Sequence, residues 1–172
     1  MPNLMDARAA VSDYFQGERS EMMALVLFSA ASVGVSIALF AVTRDRFAKG
    51  LASVLLAMAV VFLSVAVPLL SRDGRHRQEM EQHMTAIDAE PIVARENARM
   101  SDVIDRYPYY RYGYAVMLVA AAVLALGTRS SLANGIAVGL VVFAATGLVV
   151  DHYSEERARV YRTRLASEAI AR

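Results

Sequence analysis

The residues able to do chemistry in this chain are carboxylates and imidazoles, and they gather around the ends of apolar runs. Glu18 and Glu21 come just before the first run, and Asp73 and His76 just after the second. Asp151, His152 and Glu155 follow the last, while His83 and Glu96 stand further away. Asp73/His76 and His152/Glu155 are three apart, so on a helix each pair shares a face. Di-metal sites in helical bundles use a Glu-x-x-His pair on each of two helices together with single Glu ligands. Carboxylates and imidazoles without thiolate suit iron, manganese or zinc. With no cysteine in the chain, thiolate ligation, disulfides and thiol catalysis are excluded.

The spacing departs from that template. One pair has Asp in place of Glu, and the other runs in reverse order. Arg19, Arg75, Arg77, Arg99, Arg157 and Arg159 stand close to the same acids, and Glu155/Arg159 is itself an i,i+4 pair. Carboxylates near a membrane need partners, and guanidinium supplies them bidentately. The expectation is therefore a structural ion-pair network with no cofactor. A metal site built from Glu18, Glu21, Asp73, His76, Glu96, Asp151, His152 and Glu155 is the alternative, and a proton-linked role for His76 or His152 a further one. The chain lacks a Gly-rich phosphate loop, H-E-x-x-H, G-x-S-x-G and the kinase signatures, so it leans away from an enzyme.

The elements that must position these groups are apolar. Hydrophobic residues make up 56% of the 172, above the roughly 45–50% of soluble domains. The excess is concentrated in four segments, about 22–42, 51–70, 112–127 and 132–150. A bilayer core needs about 20 apolar residues per helix. The expected fold is an all-α membrane protein, one domain over 1–172, with four transmembrane helices in an up-down bundle. Helical extensions, 72–106 and 151–170, then form a polar layer on the cytoplasmic side.

Residues 3–16 read as an amphipathic helix, with Asn3 as cap and Leu4, Ala7, Val11, Tyr14 and Phe15 on one face. Gly17 suggests a bend before the first span, and Pro68 a bend near the end of the second. The acids at Asp6, Asp13, Glu18 and Glu21 do not fit a signal peptide, so the first span is expected to remain. Val93, Glu96, Met100, Val103 and Tyr107 follow the three–four spacing of a packed seam. The stretch YPYYRYGY, 107–114, reads as an interfacial tyrosine belt.

The last helix organises the rest. Gly135, Gly139, Phe143 and Gly147 recur every four residues, and Asp151 and Glu155 extend the spacing. Read as one face, this line lets another helix approach closely and points both carboxylates at neighbouring helices. Asp151 is expected to pair with a cation there. The glycines suit packing within the bundle, with a homodimer face as the alternative. Asn134 is the one strongly polar side chain in any span, which argues against a solute path.

Net charge is +1, so nucleic acid is not an expected partner; the bilayer is, and so is a protein on the cytoplasmic side. The functional expectation is a non-enzymatic structural, assembly or regulatory subunit with a cytoplasmic helical contact surface. A metal-dependent membrane protein and an oligomeric small channel or transporter are the alternatives. The two termini and the central segment hold 14 of the 18 Lys and Arg residues. The positive-inside rule then gives a multi-pass inner-membrane protein with both termini cytoplasmic, although Arg44, Arg46 and Lys49 crowd the first short link. Reporter tags at residues 1 and 172 should both report the cytoplasm; a periplasmic signal from either overturns this orientation.

Overall fold

The computed structural model describes residues 4–83 and 90–170. They form five helices: α1 Leu4–Val42, α2 Arg46–His83, α3 Glu90–Ile104, α4 Tyr107–Gly127 and α5 Ser131–Ile170. The protein is all-α, with four stretches long and apolar enough to span a membrane: Val11–Val42, Arg46–Arg72, Ala94–Gly127 and Ser131–Ala166. The third passes through both α3 and α4. Pro108 has no N–H to offer the Ile104 carbonyl, and the junction closes with a shorter bond from the Arg106 N–H to the Val103 carbonyl, 3.2 Å.

Three of the helices are longer than the spans they contain. Gly17 does not break α1, which runs unbroken through it. The residue instead makes room for the Arg157 side chain, whose Cδ would stand 2.8 Å from an added Cβ. α2 likewise continues through Pro68. α5 carries the last span into the polar layer without interruption.

The hairpin of α1 and α2 follows from a three–four periodicity on both helices. Met22, Leu25, Ser29, Ser32 and Ser36 are buried on α1, and Ala48, Ala52, Leu55, Ala59, Phe62 and Ala66 on α2. Such spacing keeps one stripe facing a partner along the whole length. Across the interface the Ser36 hydroxyl reaches the Ala52 carbonyl at 3.0 Å. The tight turn ends where Asp45 Oδ1 accepts the Phe47 N–H at 3.3 Å, an N-cap that starts α2.

α5 packs on α2 with the two helices running in the same direction. Gly135 lies against the Phe47 carbonyl, and Gly50 against the Leu132 carbonyl. Further along, Gly139 meets Val54, and Phe143 meets Phe62 edge-on at 5.3 Å. At both Gly50 and Gly135 the glycine hydrogen that stands in place of Cβ points at a carbonyl of the other helix. Such Cα–H···O contacts contribute about 0.5–1 kcal/mol each.

The glycines of α5 do not share one partner. Each four-residue step in a helix of 3.6 residues per turn advances the line by about 40°, so three steps turn it by about 120°. Gly135 and Gly139 face α2, whereas Gly147 faces the Tyr114 ring of α4. α4 runs antiparallel to α5 and packs substantially on that helix alone. The up-down order therefore holds, but it is arranged around α5, which touches α1, α2, α3 and α4.

Two apolar clusters result. One joins Met22, Leu25, Leu55, Met58, Phe62, Ala66 and Phe143 within the spans. The other joins Val11, Phe15, Met100, Ile104, Ala158, Tyr161 and Leu165 across α1, α3 and α5, with Tyr14 stacked on Tyr161 at 4.5 Å. Val11, Tyr14 and Phe15 of the face read from residues 3–16 are thus part of a second core, while the side chains of Leu4 and Ala7 lie outside the described residues. Gly50→Ala and Gly135→Ala should each lower the melting temperature in detergent, because a backbone carbonyl cannot move aside. Overpacking costs about 1–3 kcal/mol. Gly34→Ala, where an added Cβ meets nothing within 4 Å, should leave it unchanged.

Candidate functional site at the membrane boundary

The acids between the two clusters are held by arginine. Glu155 on α5 is 6% exposed and binds two guanidinium groups. Arg111 of α4 donates to Oε2, and Arg159 donates to Oε1 through Nε at 2.9 Å and Nη2 at 2.5 Å. Glu21 on α1 accepts the Ser154 hydroxyl at 2.7 Å and forms an ion pair with Arg157. Glu96 on α3 takes a two-pronged contact from Arg99, at 2.8 and 2.6 Å, and the Tyr161 hydroxyl at 3.5 Å. Each of α1, α3 and α5 thus contributes one buried or nearly buried carboxylate with a guanidinium. Bidentate geometry makes such pairs short and directional.

The remaining candidates are scattered. Glu18 hydrogen-bonds Tyr14. His152 is exposed and points away, with Nε2 4.0 Å from Glu156. The side chains of Asp73, His76 and His83 lie outside the described residues. Among the described residues no three acids or histidines converge on one centre.

Asp151 departs from expectation. It is 9% exposed, as its place on the glycine line requires, but its Oδ2 has no hydrogen-bond partner among the described residues. Arg111 acts on it through space while hydrogen-bonding Glu155 instead. The reason is desolvation. Glu155 lies one turn further from the apolar layer, and Arg111 there is 44% exposed. An ion pair that keeps one partner in water sheds less hydration than one drawn deeper.

The tyrosines divide as well. Tyr109, Tyr110 and Tyr112 are exposed, where a belt would place them. Tyr107 is buried and meets the Ser154 hydroxyl, and Tyr114 covers Gly147. Both lie near enough to Asp151 to feel its charge.

Beside Asp151 a cleft of about 640 Å³ separates α1 and α2 from α3 and α4, with α5 as its floor. Arg72, Arg99 and Arg106 line its polar end, and Phe62, Met117 and Phe143 its apolar end. Sequence spacing did not reveal Arg111, Ser154, Gly50 or this cleft, since each acquires its role from a residue on another helix. A Gly or Arg at a span end was the only local signal.

Glu155→Ala should lower the melting temperature more than Glu156→Ala. The first strands two arginines, at a cost between the roughly 0–1 kcal/mol of exposed pairs and the roughly 3–5 of buried ones. The second removes only an exposed contact at 4.0 Å. Asp151→Asn keeps the shape and removes a buried, unpartnered charge, so in lipid-free detergent it should be neutral or stabilising. Parallel melts of the three variants decide this.

No protein-family model, curated protein or solved structure matches the chain.

Proposed function

We propose that the chain is a non-enzymatic structural, assembly or regulatory subunit of a bacterial-type inner membrane. In this reading both termini face the cytoplasm, and the helical layer there is a contact surface for another protein. The observation that carries the reading is a shallow groove between α1 and α5, about 170 Å³, with Tyr14, Val160 and Tyr161 among its lining. Asp13, Glu156, Arg157 and Arg164 stand around these residues. An apolar strip inside a charged border has the anatomy of a protein interface.

The use of the boundary acids supports the non-enzymatic part. Glu21, Glu96 and Glu155 bind guanidinium, which organises the layer and leaves their lone pairs engaged. The reading involves no resident iron, manganese or zinc.

Photo-crosslinking residues placed at Glu156 and Val160 test the surface in native membranes. They should give one discrete adduct with a different protein, and the same residue at Leu126 should not. Adducts only with a second copy would make the groove a homodimer face, and adducts only with lipid would remove the contact surface; either overturns the reading. Purified protein should carry far less than one metal per chain. Stoichiometric iron, manganese or zinc that is lost in Glu155→Ala would replace this reading with a metal-dependent one.

A further inference from the structure

The cleft beside Asp151 holds two charges of opposite sign, neither of which makes a direct ion pair among the described residues. Asp151 is nine-tenths buried and its Oδ2 has no hydrogen-bond partner among the described residues. Arg106, at the polar end, has no carboxylate partner among the described residues. Both line the same cavity, together with the Tyr107 and Tyr114 rings, yet they do not pair with each other. A buried carboxylate oxygen without a hydrogen-bond donor is costly, so the site is complementary to a ligand that brings a cation to Asp151 and an anion to Arg106.

The cavity also has an apolar half. Phe62, Met117 and Phe143 line it within the span region. α4 packs substantially on α5 alone, so the opening between α4 and the α1–α2 hairpin faces where the acyl chains of a bilayer would lie. About 640 Å³ falls within the roughly 300–1,000 Å³ of small-molecule sites.

We infer that this cleft binds a zwitterionic amino-phospholipid from the surrounding bilayer, with its ammonium on Asp151 and its phosphate on the arginine end. The primary ammonium donates hydrogen bonds to the carboxylate, and the tyrosine faces add a cation–π contribution. Arg106 receives the phosphate as a charge-assisted pair. The acyl chains run down the apolar wall into the bilayer. A purely anionic lipid would pair with Arg106 and leave Asp151 without a hydrogen-bond donor and repelled.

Native mass spectrometry of delipidated protein, titrated with phosphatidylethanolamine or phosphatidylglycerol of identical chains, tests this. Wild type should retain the ethanolamine lipid about tenfold more tightly, a difference of about 1.4 kcal/mol. Asp151→Asn should abolish that preference while still binding phosphatidylglycerol, and Arg106→Gln should weaken both lipids. Melting temperatures in detergent, expected to be no lower than wild type for both variants, separate lost binding from lost folding. Chain-free glycerophosphoethanolamine should not compete at equal concentration. Equal retention of the two lipids by wild type overturns the inference, as does an unchanged preference in Asp151→Asn. Displacement by the chain-free compound overturns the assignment to a bilayer lipid.

Discussion

The backbones of α2 and α5 meet at Gly50 and Gly135, and the position of every other helix depends on that approach. In lipid there is little hydrophobic drive between helices, so association rests on close packing and weak polar contacts. Two glycines that each face a carbonyl of the other helix allow the helices closer than any side chain would permit. Because α5 is one unbroken helix of 40 residues, fixing its first turns also directs its far end. The direction set at Gly135 determines which side of α5 meets α1, α3 and α4.

The two layers are held by different physics. Within the spans, small residues and a few hydroxyls let helices touch, as where Ser36 reaches the Ala52 carbonyl. In the polar layer, Val11, Phe15, Met100, Ile104, Tyr161 and Leu165 form a cluster, and burying such side chains from water contributes about 1.5–3 kcal/mol each. The acids sit between these regimes. At the depth where hydration begins to fail, Glu21 ties α1 to α5 through Arg157 and Glu155 ties α5 to α4 through Arg111, while Glu96, clasped by Arg99 of its own helix, reaches α5 through the Tyr161 hydroxyl. There the ion pairs keep contact with water on one side, which limits their desolvation cost.

The same geometry leaves a gap. The glycine line turns around α5 as it climbs, so the close contact passes from α2 at Gly139 to α4 at Gly147. With α4 drawn to that later face, it cannot also pack on α1 and α2. The resulting cleft has Asp151 at its boundary, on the same turning line. A buried carboxylate oxygen with no hydrogen-bond donor among the described residues, beside an open cleft, is a local conflict of the kind that functional sites retain.

The all-α class, the four spans, the long continuation of α5 into the polar layer and the burial of Glu96 were legible in the chain. Each rests on a periodicity or a run length, which are properties of one helix at a time. The partners of Glu155 and Glu21, the split of the tyrosines into exposed and buried sets, and the unpartnered state of Asp151 were not legible. Arg111 lies 44 positions from Glu155, and Ser154 lies 133 from Glu21, so no local spacing relates them. Which arginine reaches which acid depends on how far α5 has rotated by the boundary and on which helices its earlier glycines have admitted. Helical propensity and hydropathy act along the chain and wrote the elements into the sequence, whereas pairing and cavities arise between chain segments and were decided only when the helices packed.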